Sequence, residues 1–295
     1  MSFEVGRIGI WTGALDAHST AAAQDAARHL EQLGYTTLWI PEAVGREPFV
    51  AAANLLAATS TLKLATGIAN IYARDPMTTA AAQLTLAEAY PERFLLGLGV
   101  SHRHLVHNVR KHDYSKPLSY MRDYLAAMKA SLFMATKPAA EPATVLAALG
   151  PKMLELAATE AQGAHPYFTT PEHTAIARQV MGDGPMLAPE QMVVLSTDAS
   201  EARTIARAGM SVYLRAPNYL NNLKRLGFDE SDWVDHNQAS DRLVDAIVAW
   251  GTAEQIAERV RAHHDAGADH VCVQVLRADR QLPLQEWSEL AAVLL

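Results

Sequence analysis

The chain has 295 residues, of which 49% are hydrophobic and 19% charged, and its formal net charge is −7. That balance excludes a general nucleic-acid binder, which needs a cationic face, but leaves room for a local cationic pocket for a phosphorylated ligand. One cysteine, Cys272, excludes a disulfide framework and a cysteine-based metal site within one chain.

In chain order the apolar pattern predicts a strand at Arg7–Trp11, a helix at Thr20–Leu33, a strand at Thr37–Ile40 and a helix at Pro48–Ala58. A strand at Lys63–Ile71 follows, then a helix at Pro76–Ala89 and a strand at Phe94–Gly99. The last of these is a continuous apolar run with two glycines, as in a parallel strand buried on both faces. Beyond it lie a helix at Pro117–Phe133, a strand at Thr144–Ala148, a helix at Pro151–Ala161, a strand at Gly163–Phe168 and a helix at Pro171–Met181. A strand at Met192–Ser196 and a helix at Asp198–Ala208 precede a last strand at His270–Leu276, where Cys272 reads as a small buried hydrophobe. Proline opens five of these seven helices, a start signal because the donor it lacks would be orphaned anyway. Gly34 and Gly209 read as helix ends.

The rhythm breaks after the seventh strand. Residues 215–252 read as a mostly helical insertion, with short helices at Tyr219–Leu226 and Leu243–Trp250. A longer helix at Ala253–Ala266 then leads to the last strand. Lys224, Arg225 and Arg242 read as solvated surface. Eight strand–helix alternations over this length predict a single-domain (β/α)8 TIM barrel. A doubly wound sheet is the competitor, but no Gly-x-Gly-x-x-Gly follows the first strand, and Gly97-Leu-Gly99 reads as room for a close backbone approach. No apolar run reaches the ~20 residues of a bilayer span. The N-terminal MSFEVGRIGIWTG lacks the order of a signal peptide, so a soluble, cytoplasmic protein is expected. Alanine-rich helix faces suggest a homodimer.

In such a barrel the chemistry sits at the C-terminal ends of the strands. Polar residues there include Glu42, Asn70, Tyr72, Arg74, Ser101, His102, Thr169 and Thr170. His102, His104, His107 and His112 cluster in sequence, but no HExxH and no nearby carboxylate accompanies them, so no metal site is read. Ser101 lacks the GxSxG setting of a nucleophile. Gly150-Pro151 and Thr169-Thr170-Pro171 each open a helix whose free N–H groups can take a phosphate or simply be capped.

Several motifs carry a family resemblance. Leu38-Trp-Ile-Pro-Glu42, Thr66-Gly-Ile-Ala-Asn70, Arg74-Asp-Pro76, Tyr90-Pro-Glu-Arg-Phe94, Leu96-Gly-Leu-Gly-Val-Ser-His102 and Ala268-Asp-His-Val-Cys-Val273 resemble the bacterial luciferase-like superfamily. More narrowly, they resemble its deazaflavin branch, which uses coenzyme F420. The resemblance implies a barrel carrying a flavin or deazaflavin across its C-terminal face, with a non-prolyl cis peptide near Gly67–Ile68 behind the ring. It implies Asn70 at the ring edge. Ala148, Leu149 and Gly150, with Phe168, Thr169 and Thr170, would hold the phosphate end. Trp11 and Tyr72 would line the substrate side, and Glu42 and His102 would deliver protons. The chain departs from the branch's sugar-phosphate dehydrogenases: Glu42 replaces a histidine, His102 replaces a glutamate and Thr170 replaces a phosphate-binding lysine. Glucose 6-phosphate is therefore not expected as substrate. The implied activity is F420-dependent hydride transfer to or from a small molecule; the alternatives are an FMN-dependent monooxygenase and a non-catalytic flavin-binding barrel.

Overall fold

A computed structural model describes residues 3–234, 238–279 and 281–295. The first half alternates as the pattern predicts: β1 (Ile8–Trp11), α1 (Thr20–Leu33), β2 (Thr37–Ile40), α2 (Pro48–Ala58), β3 (Lys63–Thr66) with its short continuation β4 (Ala69–Asn70), α3 (Pro76–Ala89) and β5 (Phe94–Gly99). Local chemistry places the helix starts. Glu47 and Asp75 cap α2 and α3 by accepting from Val50 N and Thr78 N, and Pro48 and Pro76 take the first helical positions. Gly34 ends α1 in the left-handed region at φ 96°, with its N–H on Leu30 and Glu31 carbonyls.

The second half holds α4 (Pro117–Lys129), β6 (Thr144–Leu146), α5 (Pro151–Glu160), β7 (Gly163–Ala164), α6 (Pro171–Met181), β8 (Met186–Leu187), β9 (Glu190–Val194) and α7 (Ala199–Met210). Then come α8 (Pro217–Arg225), α9 (Asp241–Ile247), β10 (Val248–Trp250), α10 (Ala253–Asp265), β11 (Val271–Val275) and α11 (Leu284–Leu294). Several expectations need correction. Gly209 lies inside α7 rather than ending it; a Cβ there would stand 2.9 Å from Leu276 Cδ1, so the glycine lets α7 approach the last strand. The stretch read as one helix over Leu243–Trp250 turns to strand at Val248, where β10 pairs with β9. The seventh strand starts earlier than Met192 and is broken around Pro189, which has no N–H for a ladder. The last helix, α11, was not expected. The fifth and sixth strands are also shorter than their apolar runs.

All strand pairs are parallel, in the order β10-β9-β11-β1-β2-β3-β5-β6-β7-β8, with β4 beside β5. The ring closes through the broken strand. Ala188 N donates to Ala164 O on one side of it, and Cys272 N donates to Pro189 O on the other. The result is the eight-staved (β/α)8 barrel expected from the sequence, with β8 and β9 forming one stave. β10 occupies the edge that the two-residue β7 leaves free higher up β9. Phe94–Gly99 is buried along its whole length, as expected of a strand covered on both faces. One apolar shell fills the space between barrel and helices, around Leu38, Leu64, Leu96 and Val273. A second joins α7, α8 and α9 around Leu214, Leu223 and Leu243. Among the described residues no helix is long and apolar enough to cross a membrane.

Candidate active site

Strand alternation turns Trp39, His165 and His270 into the barrel. His165 stacks on Trp39 with ring centroids 4.3 Å apart, and Trp39 Nε1 donates to His270 Nε2 at 3.0 Å. Both histidines are held neutral by burial, which lowers His165 to about 4 and His270 to about 3. Each donates Nδ1–H to a carbonyl, Ala188 O at 2.7 Å and Gly6 O at 2.8 Å. His165 therefore keeps a bare Nε2, which has no partner. This polar plug supports the floor of the C-terminal mouth.

Above the plug, one corner is built by the end of the third stave. The Gly67–Ile68 peptide is cis, at the bond the resemblance indicated. Trp11 Nε1 donates to Gly67 O at 2.9 Å. A Cβ on Gly67 would lie 2.6 Å from that indole nitrogen and 3.1 Å from His165 Nε2, so only glycine fits. Gly97 and Gly99 face the same turn: a Cβ on either would overlap Thr66 O or Ile68. The pair read as room for a close approach is thus filled by the bend at residues 66–68. Glu42 locks the corner. Its Oε2 accepts from Asn70 N at 2.8 Å and Arg74 Nη1 at 2.9 Å, and its Oε1 accepts from Arg74 Nη2 at 2.8 Å. Arg110 approaches Oε1 at 3.5 Å. Asn70 in turn accepts from Tyr72 N through Oδ1. Both Glu42 oxygens take part in this network, which positions the turn. Tyr72 stacks on Tyr120 at 4.6 Å and tilts against Tyr114 at 5.7 Å.

Across the mouth stands half-buried His102, beyond Ser101, whose φ of 55° is unusual for a residue with a side chain. Its Nδ1 makes a long 3.4 Å contact with Asn218 Oδ1, and its ring lies 5.3 Å from Tyr219. Burial lowers its pKa, so it is neutral at pH 7. Tyr219 belongs to an aromatic group with Tyr167, Phe168 and Tyr213, and Trp11 reaches Tyr167 at 5.0 Å. The Tyr167 hydroxyl donates to Gln274 Oε1 at 2.7 Å and meets the Tyr213 hydroxyl at 2.6 Å. Beneath them Glu190 is 1% exposed; one oxygen accepts from Phe168 N at 3.3 Å and the other has no partner. Burial pushes this carboxyl up to about 8, against the lowering effect of the Phe168 N–H. Phe168, at φ 57°, is a bulky residue in the left-handed region, and Glu190 braces its N–H.

The far end of the mouth holds the two helix starts. Gly150 precedes Pro151 with no side-chain cap, whereas Thr170 caps α6 by accepting from His173 N. His173 Nε2–H donates to Leu149 O at 2.9 Å and so ties the two starts together. Three polar atoms here are buried without partners: Thr169 Oγ1, His173 Nδ1 and Asn222 Nδ2. Ala148, Phe168, Thr169 and Thr170 are all buried. The structure thus gathers the residues assigned to a phosphate end, and gathers Trp11, Gly67, Ile68, Asn70 and Tyr72 at another corner, with His102 across the mouth from it. Sequence reasoning missed Glu190, Asn218, Tyr213, Asn222 and Gln274. For Glu190 a signal existed: a lone carboxylate entering the apolar run Met192–Leu195. For the insertion residues none existed, because their loop carries no strand period. Among the described residues no group of His, Cys, Asp or Glu side chains is placed to hold a metal ion.

The model of the luciferase-like monooxygenase family matches residues 6–270. The 5,10-methylenetetrahydromethanopterin reductase of Methanolobus tindarius is 24% identical, over 83% of this chain and 87% of its own length. A putative coenzyme F420-dependent oxidoreductase of Mycobacterium tuberculosis, Rv3520c, is 27% identical over 57% of this chain and 55% of its own. Two solved structures share the fold. An F420-dependent secondary alcohol dehydrogenase bound to an F420–acetone adduct has a TM-score of 0.79 at 14% identity, covering 97% of both chains. The oxygenating constituent of 3,6-diketocamphane monooxygenase from Pseudomonas putida, bound to FMN, has a TM-score of 0.71 at 14% identity, covering 97% of this chain and 95% of its own.

Proposed function

The chain belongs to the luciferase-like monooxygenase family, a family of oxidoreductases, and on that premise we propose that it is a coenzyme F420-dependent oxidoreductase moving a hydride between the deazaflavin and a small organic substrate. The observation that carries this reading is the polarity of the mouth. One end is aromatic and hydrogen-bonded within itself. The other offers two helix starts and three buried polar atoms without partners. A ligand with a flat ring and an anionic tail matches both ends. The F420-dependent proteins among its relatives and fold neighbours favour the deazaflavin over FMN.

The ring would lie against Gly67–Ile68, with Asn70 at its edge. Ala148, Leu149, Gly150, Phe168, Thr169 and Thr170 would hold the phosphate end. When bound, the deazaflavin supplies two-electron hydride chemistry without the oxygen reactivity of reduced FMN. The protein binds, orients and excludes water. His102 is the proton carrier: with Nδ1–H directed at Asn218, its Nε2 takes the hydroxyl proton of an alcohol being oxidised, or returns it in reduction. Glu42 holds the ring-side turn through Arg74 and Asn70 N rather than exchanging protons. Trp11 and Tyr72 flank the substrate side, and the second copy of a homodimer would pack on outer helices.

Titration with oxidised F420 and, separately, with FMN, followed by tryptophan quenching, tests the reading. Micromolar binding of F420 with weak FMN binding supports it. Preference for FMN moves the protein to the oxygen-using side of the family, and binding of neither defeats the cofactor site.

A further inference from the structure

The start of α5 has a visitor from a distant part of the chain. Arg225, the last residue of α8, lays its guanidinium over Gly150: the position of a Cβ on that glycine is 3.6 Å from Arg225 Nη1 and 3.8 Å from Nη2. Among the described residues no carboxylate or carbonyl partners this arginine, whereas the adjacent Lys224 pairs with Glu230 at 2.5 Å and Arg242 with Asp232 at 2.8 Å. Arg225 is exposed, as expected from the sequence, yet lies close enough to His173 to depress its pKa further after burial has done so. Tyr219 and Leu223 of α8 pack in one cluster with Phe168 and Leu149, so the inner face of α8 looks onto both turns of the phosphate end. Asn222, one turn before Arg225, is 2% exposed, and its amide Nδ2 has no acceptor. Thr169, 1% exposed, has an unpartnered hydroxyl on the facing turn. Burying donors without acceptors is unfavourable unless a ligand supplies them. Glu172, in the first turn of α6, is engaged by the Thr170 hydroxyl and feels the charge of Arg259.

Building on the proposed cofactor reading, we infer that Arg225 and Asn222 form a second wall of the anion site. In it α8 closes on a phosphate group held between Gly150 and Thr169, so the segment after β9 reads the tail of the cofactor and not only its ring. A guanidinium offers paired donors in a fork that matches phosphate oxygens, while the Asn222 amide and the Thr169 hydroxyl add neutral donors. A ring compound lacking the phosphate gains nothing from this wall.

The test compares FMN with riboflavin, and F420 with its phosphate-free deazaflavin precursor, on the wild type, Arg225→Ala and Arg225→Lys, with binding read by tryptophan quenching at low and high salt. Arg225→Ala is expected to weaken FMN and F420 by about tenfold, the lower range for a charge-assisted contact at an exposed arginine. The two phosphate-free compounds should be unaffected, and Arg225→Lys should recover part of the loss because it restores charge without the fork. Equal losses for all four compounds, or no loss for any, overturns the inference while leaving the cofactor reading intact if F420 still binds. Should the wild type bind none of the four, inorganic phosphate decides. A rise in melting temperature with phosphate in the wild type that is absent in Arg225→Ala sustains the anion wall without the cofactor reading, and no difference ends both.

Discussion

The two ends of the mouth solve opposite problems. At the Gly67 end the polar groups are spent on each other: Glu42 on Arg74 and Asn70 N, Asn70 on Tyr72 N, Trp11 on Gly67 O. His165 Nε2 is the exception. At the Gly150 end Thr169 Oγ1, His173 Nδ1 and Asn222 Nδ2 stay unpaired, and Arg225 has a glycine for its neighbour. A satisfied corner holds its own shape, as a surface that orients a ring must. An unsatisfied corner acquires its hydrogen bonds from what it binds. Substitutions should therefore affect folding at the first end and binding at the second.

The largest effect should come from Glu190, which lies between the two. Its folded carboxyl keeps its proton up to about 8, against an ordinary value of 4.5 in the unfolded chain. The folded protein therefore binds the extra proton, and stability contributed at low pH is lost as pH rises through that window. Glu190→Gln should flatten the decline, which by linkage amounts to on the order of 5 kcal/mol across the window. Urea denaturation from pH 5 to 8.5 on both proteins checks this, and parallel curves would contradict it. Arg74→Ala comes next. It leaves Glu42 buried without its bidentate partner, and breaking such a pair costs about 3–5 kcal/mol; chemical denaturation should show the loss even in apo-protein. A smaller change would mean that Arg110, at 3.5 Å, takes over. His102→Gln should lower turnover by about a hundredfold, the low end of general acid–base catalysis, with unchanged melting. In the wild type the oxidation rate should fall only below the ordinary histidine range, because burial lowers the His102 pKa and the neutral ring is the base. Smallest is Thr169→Val. Removing a hydroxyl that has no partner should change stability by less than about 0.5 kcal/mol, yet weaken phosphate-bearing ligands several-fold. A clear loss of stability in Thr169→Val would erase the contrast between the two ends.

Much of this was legible in the sequence, for identifiable reasons. Helices starting at Pro48, Pro76 and Pro171 begin where proline and an acidic or threonine cap place them, and the one at Pro151 where proline alone does, a local cause. The bend at Gly67–Ile68 came from family resemblance, and the two glycines of β5 that make room for it were readable as spacing. Pro189 hid the closing strand, because it splits one stave into β8 and β9 and moves the inward carboxylate of Glu190 outside the apolar run. Val248–Trp250 was misread because an apolar triplet after a helix has no period of its own, and only the open edge of β9 makes it a strand. The α11 periodicity of Trp287, Leu290 and Ala291 was present in the sequence and readable. The roles of Asn222 and Arg225 were not, since they depend on where α8 lands.

The pairing of β1 with β11 also has a consequence for how the molecule is made. Ile8 registers with Val271, and Trp39 reaches His270 across 231 positions of chain. During synthesis the first staves leave the ribosome long before the strand that closes the ring. Until β11 is released, β1 and β9 both present open parallel edges, and the polar plug around His165 and His270 is incomplete. Closure is thus a late event made of contacts far apart in sequence, the kind that slows folding and lengthens exposure of sticky edges. The ring-side corner, by contrast, has all its residues in hand before the chain is half made.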